Sequence, residues 1–371
     1  MSKMYDTIII GAGIAGAAVA HALQAKGQSV LVLDKGGVAS GGSGAAGAFV
    51  SPKIGKGSLL QTLTNQAFTF AKDFYLQHTP EYFHQTGIVR IPKDEVDAVK
   101  FCEYTLFNEN RFETYDETAL KAENIQTALS SFFFPDSGVC DAQKVCQKLL
   151  FDIDVVRYEV ETIERKEGYW SVAEWSAKHL VLATGFQSDL LDLRYMGIQG
   201  TWGTRGDFTS SLPLKVSMHQ SLSISANHNG IIKLGATHEK NVKQIIPCEA
   251  SQALSLKEKA SALVDTSDFQ LKEVFCGMRA GSKDYFPLVG KVIDVPTMLE
   301  ENPALSRGAK PALKHIENLY ICNGFGGRGF VFAPWMGQML AECIVEGKAV
   351  DERVSPDRLF LKWCRKSLPF D

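Results

Sequence analysis

The run Gly11-Ala12-Gly13-Ile14-Ala15-Gly16, followed by Asp34 at the close of the next apolar stretch, carries residue types suited to holding a dinucleotide. Gly11 permits a sharp turn, Gly13 lets backbone approach a pyrophosphate, and Gly16 lets a helix pack on a strand. The helix that follows presents its N-terminus to the phosphate charge. Asp34 is placed to accept hydrogen bonds from the adenosine ribose, with Lys35 beside it. Ala20 and Gly27 extend the glycine pattern. The competing readings are a glycine-rich structural turn and, for Asp34 alone, a surface turn acid.

Three further stretches decide which dinucleotide. Ser40 to Gly47, containing Ser43, Gly44, Ala45, Ala46 and Gly47, brings small residues and backbone N–H groups beside the first site. That composition suits a flavin diphosphate and its ribityl chain. A second strand runs into Thr184-Gly185. Gly324, Gly326, Gly327, Arg328, Gly329 and Phe330 then precede a helix, so N–H donors and a cation fall where a reduced flavin carries negative charge. Three such stretches in this order favour FAD over NAD.

Hydrophobic periodicity supplies the elements that position these groups. Residues 5–10 read as a strand, 17–24 as an alanine-rich helix and 29–33 as a second strand, which together make a β-α-β unit. A helix is expected around 59–76, buried strands at 179–183 and 319–322, and a helix at 334–346. Residues 152–175 read as a small β meander and 296–315 as a surface loop. The stretches 83–92 and 207–237 alternate as antiparallel strands do, with Asn229-Gly230 as a hairpin turn.

Composition excludes several classes. Apolar residues make up 45% and charged residues 22% of 371, which is an ordinary globular balance. A net charge of -3 gives no global attraction to a polyanion, so any nucleic-acid contact must come from a local patch. The eight cysteines show no C-x-x-C pair or metal spacing, so no metal site is expected, and they read as reduced, mostly buried thiols of a cytoplasmic protein. The first apolar run ends in glycines, and no stretch of roughly 18 apolar residues follows, so neither a secretion signal nor a membrane span is expected.

Residues spread over most of the chain resemble the FAD-dependent amine and D-amino-acid oxidases, the superfamily of glycine oxidase and sarcosine oxidase. They are Gly42-Ser43-Gly44 with Ser51-Pro52, Ala67 to Ala71, Cys276-Gly277-Met278-Arg279, Asp284 to Gly290, and Gly327-Arg328-Gly329 with Ala333-Pro334. Within the superfamily the likeness is to the oxidase half of the bifunctional enzymes that build 5-methylaminomethyl-2-thiouridine in tRNA. The resemblance implies an α/β fold, a glutathione-reductase-like Rossmann FAD-binding domain (1–76, 135–190 and 274–371) with an antiparallel-sheet substrate domain (77–134 and 191–273).

The same resemblance implies that Arg279 grips a substrate carboxylate over the flavin, with Phe49 and Tyr285 in the substrate pocket. It further implies that Val160 meets the adenine through backbone and that Arg328 lies at the flavin pyrimidine edge. The plainer readings are a structural ion pair for Arg279, strand core for Val160 and a solvent-facing loop cation for Arg328. Gly277 stands about where some sarcosine oxidases carry their flavin-linked cysteine, so noncovalent FAD is expected.

Three functions are compatible with these residues. The first is oxidative removal of the carboxymethyl part of 5-carboxymethylaminomethyluridine in tRNA, giving glyoxylate, with dioxygen or another acceptor reoxidising the flavin. No methyltransferase half is expected in this chain, so a separate methyltransferase would complete the modification. The second is oxidation of a free small amine such as glycine, sarcosine or a D-amino acid. The third is a flavin-bearing protein without turnover. For tRNA, the local patch would come from Arg353, Arg358, Lys362, Arg365 and Lys366, with Lys53 and Lys56 beside the flavin loop. Those residues read equally well as a solvated helix face.

Overall fold

The computed structural model describes residues 3–186, 190–240, 242 and 246–367. Its larger α/β part is an eight-stranded sheet. The parallel strands Asp154–Arg157, Val30–Asp34, Met4–Ile10, Trp175–Leu182 and His315–Asn323 lie side by side, and Leu288–Ile293 closes that edge antiparallel. Register is set by burial on both faces. Ile9, Val32 and Val181 pack on one side, against the helices Ile14–Ala25, Leu59–His78 and Gly329–Glu346. Their neighbours Ile8, Ile10, Leu31, Leu33, Leu180 and Leu182 fill the other side with Tyr195 and Phe360. Alternate side chains thus serve two cores, which is why these strands read as continuous apolar runs.

The second part is a nine-stranded, mostly antiparallel sheet, in which the long strands Gln199–Thr209 and Gln270–Gly281 pair along their whole length. Ile88–Arg90 lies further along this sheet, between Ser131–Phe134 and Ser217–His219. The hairpin at Asn229-Gly230 forms as expected, both residues having the positive φ that such a turn requires (51° and 77°).

Several boundaries differ from the expectation. Asp154–Arg157 joins the main sheet in parallel with Val30–Asp34, so only Glu164 to Trp175 forms a meander. The stretch read as a surface loop contains most of the helix Val295–Glu301, and its Met298 and Leu305 are buried in the core that holds Tyr195 and Phe360. Residues 83–92 split between two sheets, with Phe83–His84 in a small three-stranded one and Ile88–Arg90 in the large one.

The last core helix begins at Gly329 and carries Pro334 inside it. Proline has no N–H, so the carbonyl of Phe330 loses its helical partner. The buried Tyr75 hydroxyl donates to that carbonyl at 2.8 Å and replaces the missing bond. Close approach of this helix to the first one is possible because position 337 is glycine; a Cβ there would lie 2.7 Å from the Ala18 carbonyl carbon.

Candidate active site

The C-terminal ends of the parallel strands open onto one cavity of about 1420 Å³, whose far wall is the antiparallel sheet. This is where an open α/β sheet binds its ligands. The glycine turn is built as its sequence requires. Gly11 has φ +113°, and a Cβ on it would overlap the Ala183 carbonyl oxygen. A Cβ on Gly16 would overlap the Gly11 carbonyl oxygen and sit 3.3 Å from Ile9 Cγ2, so only glycine lets helix and strand meet here. A Cβ on Gly13 would meet the Ser43 hydroxyl at 2.9 Å. That hydroxyl accepts from the Ile14 N–H at 2.9 Å and caps the helix start, where Gly13 has no side chain to do so.

Asp34 is half-buried and holds the turn together through its own carboxylate. Its Oδ1 accepts from the backbone N–H groups of Gly36 (2.9 Å) and Gly37 (3.0 Å) and from the Ser40 hydroxyl (3.1 Å), while Oδ2 accepts from the Ala12 N–H at 2.8 Å. A carboxylate offers about four lone-pair positions. By that count the Oδ2 side, with one bond, retains capacity for a further donor.

The loop 40–47 lies on the strand Gln270–Gly281 without room for side chains at the crossing. A Cβ on Gly277 would come 2.9 Å from Gly42 Cα, and one on Gly42 would overlap the Met278 carbonyl oxygen. Arg205, buried and paired with Asp207 at 2.8 Å, ties this loop down by donating to the carbonyls of Gly44 (3.3 Å) and Ala46. Its guanidinium also stacks 3.9 Å from the Phe275 ring centroid. Nothing local in the sequence marked Arg205, because its partners come from three separate segments.

Arg279 lies in the cavity wall and donates to the Thr237 carbonyl at 3.1 Å. Position 203 must be glycine to admit it, since a Cβ there would be 2.6 Å from the guanidinium carbon. Among the described residues it forms no ion pair, and burial alone lowers its pKa. Arg328 also lines the cavity, with burial pushing it down to about 10, and is not a solvent-facing loop cation. Val160 lines the cavity from the loop after Asp154–Arg157, outside any strand.

Of the other expected residues, Ile14, Ala15, Lys35, Thr184, Gly185 and the run from Gly324 line the cavity, as does Phe49. Tyr285 stands at its rim, 72% exposed and at φ +67°. Ala12, Gly16, Gly44 and Ala45 lie behind the wall, where they make the packing contacts that shape it rather than line it. Sequence reading missed Trp202, Arg90, His219 and His238, which line the cavity from the antiparallel sheet, and it put Lys53 on the surface although Lys53 lines the cavity half-buried. Alternation along a β region shows that side chains take turns between two faces, but not which face will meet a ligand.

One other expectation is corrected. Cys248 and Cys276 form a disulfide, because the fold brings their Cα atoms to 5.6 Å. Cys140, Cys146, Cys322, Cys343 and Cys364 are buried thiols, with burial raising Cys146 to about 12, and Cys102 is exposed. In the basic patch, Arg353 is paired with Asp351 and Arg358 with Asp284 at 2.9 Å, Lys56 is paired with Glu103 at 2.6 Å, and Lys362, Arg365 and Lys366 stay exposed.

The cavity suits FAD on its own features. The Thr184 hydroxyl and the Trp202 indole N–H are buried at its wall with no partner among the described residues, and its first strand end is a cradle that any Cβ would fill. A parallel sheet with a glycine turn at its first strand end, opening onto such a cavity, is the arrangement of a dinucleotide-binding α/β protein. The family model for DAO, FAD dependent oxidoreductase, matches residues 6–343, and the chain belongs to that family. It is an FAD-dependent oxidoreductase.

Among curated proteins, the chain is 25% identical over 346 residues to the tRNA 5-methylaminomethyl-2-thiouridine biosynthesis bifunctional protein MnmC of Maricaulis maris, covering 91% of this chain and 52% of the relative. It is 23% identical to the MnmC of a Marinomonas species, covering 99% and 61%. The chain therefore spans a little over half the length of these relatives. Its fold is similar to glycine oxidase from Bacillus cereus (19% identity, TM-score 0.77, covering 93% of this chain and 96% of that one). It is also similar to iminodiacetate oxidase from Chelativorans (18%, 0.76, 94% and 98%). Among the described residues no helix is long and apolar enough to cross a membrane, and no group of acidic, histidine or cysteine side chains is placed to hold a metal.

Proposed function

We propose that this chain oxidises the secondary amine of a 5-carboxymethylaminomethyl group on the wobble uridine of tRNA, leaving the aminomethyl nucleoside and releasing glyoxylate. The observation that carries this reading is Arg279, a cation in the cavity wall with no carboxylate partner among the described residues. A planar guanidinium binds a carboxylate through two parallel charge-assisted bonds and so fixes the adjacent carbon in place. FAD, when bound, accepts the hydride from that carbon. Loss of the hydride and of the nitrogen's proton makes the carbon–nitrogen bond an imine, which water splits into the amine and the aldehyde acid. The backbone of 11–16, Asp34, Val160 and the turn 326–329 would hold the cofactor, with Arg328 offsetting negative charge beside it.

Likeness to MnmC across nearly the whole chain supports tRNA as the substrate. On the surface, Lys362, Arg365 and Lys366 supply the exposed cations for RNA phosphates. The test is turnover by FAD-loaded protein of an anticodon stem-loop carrying the modified uridine, beside glycine, sarcosine and D-amino acids. The aminomethyl nucleoside and glyoxylate should appear in equal amounts from the RNA. Rapid turnover of a free amino acid with none of the RNA would replace this reading with that of a small-amine oxidase.

A further inference from the structure

The cavity is electrically lopsided. Its acidic lining residues, Asp34, Glu159 and Glu161, all stand at the ends of the adjacent strands Val30–Asp34 and Asp154–Arg157. At the other end stand four cations, Lys53, Arg90, Arg279 and Arg328, with no ion pair to any of them among the described residues. One substrate carboxylate accounts for Arg279, and the negative charge of a reduced flavin accounts for Arg328. Lys53 and Arg90 are left over, and enclosed charge without a counter-charge is costly to fold.

Arg90 and His219 are register partners on neighbouring strands, so both reach the cavity from the same stretch of wall. The His219 ring is fixed by a 2.7 Å bond between Nδ1 and the Ser223 hydroxyl, which leaves Nε2 as its other polar atom. Ser221 lines the cavity beside it. Arg90 feels Arg328, and Lys53 feels both, so the three charges share one corner; burial and Arg328 push Arg90 down to about 9. Two cations in one corner, with an imidazole and a hydroxyl lining the cavity on the neighbouring strand and its turn, offer polar groups suited to a tetrahedral oxyanion.

We propose that Arg90, Lys53, His219 and Ser221 form a second anion subsite, which takes a phosphate of the substrate while Arg279 takes its carboxylate. The proposal rests on the reading above only in naming a nucleotide as the source of that phosphate. A free amino acid supplies no such group, so this corner separates a nucleotide substrate from a small amine.

Calorimetric titration of inorganic phosphate into FAD-loaded protein tests the subsite itself. One saturable site is expected, weakened roughly 10- to 100-fold in Arg90→Gln and in Lys53→Gln and unchanged in Arg279→Gln. Flavin absorbance and a melting curve identify any variant that fails to fold, and the two substitutions stand in for each other. Absence of saturable binding, or loss of binding in Arg279→Gln with none in folded Arg90→Gln, overturns the proposal.

The source of the phosphate is read separately, from turnover of the modified stem-loop against the same nucleoside without phosphates. Arg90→Gln should raise KM for the RNA roughly tenfold or more and leave KM for the nucleoside unchanged. An equal rise for both substrates also overturns the proposal. If phosphate binds as expected but wild-type protein turns over neither substrate, the tRNA reading fails and the subsite stands.

Discussion

Replacing Asp34 with Asn removes one charge and almost no volume, so its effect isolates what the carboxylate does. The substituted amide has one oxygen, and the arrangement that keeps most bonds points it at Gly36, Gly37 and Ser40, the three donors now on Oδ1. Its NH₂ then faces the Ala12 N–H, now 2.8 Å from Oδ2, and two donors oppose each other at the centre of the glycine turn. Hydrogen bonds to a charged acceptor contribute about 1.5–3 kcal/mol and neutral ones about 0.5–1.5, while an unpaired donor costs about 1–3. After discounting for partial exposure of the loop, a loss of about 2–4 kcal/mol follows. That loss falls on the cradle that FAD must occupy, so the FAD dissociation constant should rise roughly 30- to 1000-fold. Equilibrium dialysis with detection of free flavin by fluorescence measures it directly. Retention of FAD within about threefold of wild type would show that the carboxylate does not organise the turn, and the argument from its bonds would be refuted.

The other predictions concern separate parts of the molecule. Arg279→Gln should keep its flavin and lose roughly 100- to 1000-fold in kcat/KM, measured by glyoxylate release, because two charge-assisted bonds to the substrate disappear. Tyr75→Phe should lower unfolding stability by about 1–3 kcal/mol in urea titrations, since the Phe330 carbonyl then has neither a helical nor a side-chain donor. His21, packed edge-on against Phe74 and His78, is held down to about 4 by burial and then by His78. The unfolded chain takes up this proton near pH 6.5 and the folded protein only near 4, so stability is lost as pH falls through that window. With its partial exposure discounted, its share of the loss between pH 7 and pH 5 is on the order of 1 kcal/mol, and the pH-dependent loss should shrink by that amount in His21→Gln, as read from urea midpoints at the two pH values.

The parts legible in the sequence were those whose cause is local. Gly11, Gly13 and Gly16 declare a turn that only glycine can make, and the β-α-β unit around them follows from periodicity alone. The resemblance placed Arg279 and Arg328 in one site from residues far apart along the chain, and both line the cavity. What escaped notice depends on partners distant in sequence. Pro334 suggested a helix start because the donor that lets it sit inside the helix, Tyr75, lies on another helix. Arg205 looked like any strand residue until the loop it restrains folded over it, and Arg90 became a cavity residue only through its place beside Ser217–His219. The Cys248–Cys276 pairing had no spacing signature, since it depends on where two segments of the antiparallel sheet region meet.

The interleaving of the two sheets also bears on how the protein is made. The strand His315–Asn323 and the helix Gly329–Glu346 complete the nucleotide-binding sheet, yet they leave the ribosome long after the elements they cover. Until they emerge, the apolar faces of Trp175–Leu182 and of the helix Ile14–Ala25 lack their cover. Translation at about 5–20 residues per second leaves that surface open for many seconds. The apolar surface of a nascent chain therefore stays open until residues 315–346 have emerged, and cofactor capture belongs to the period after that.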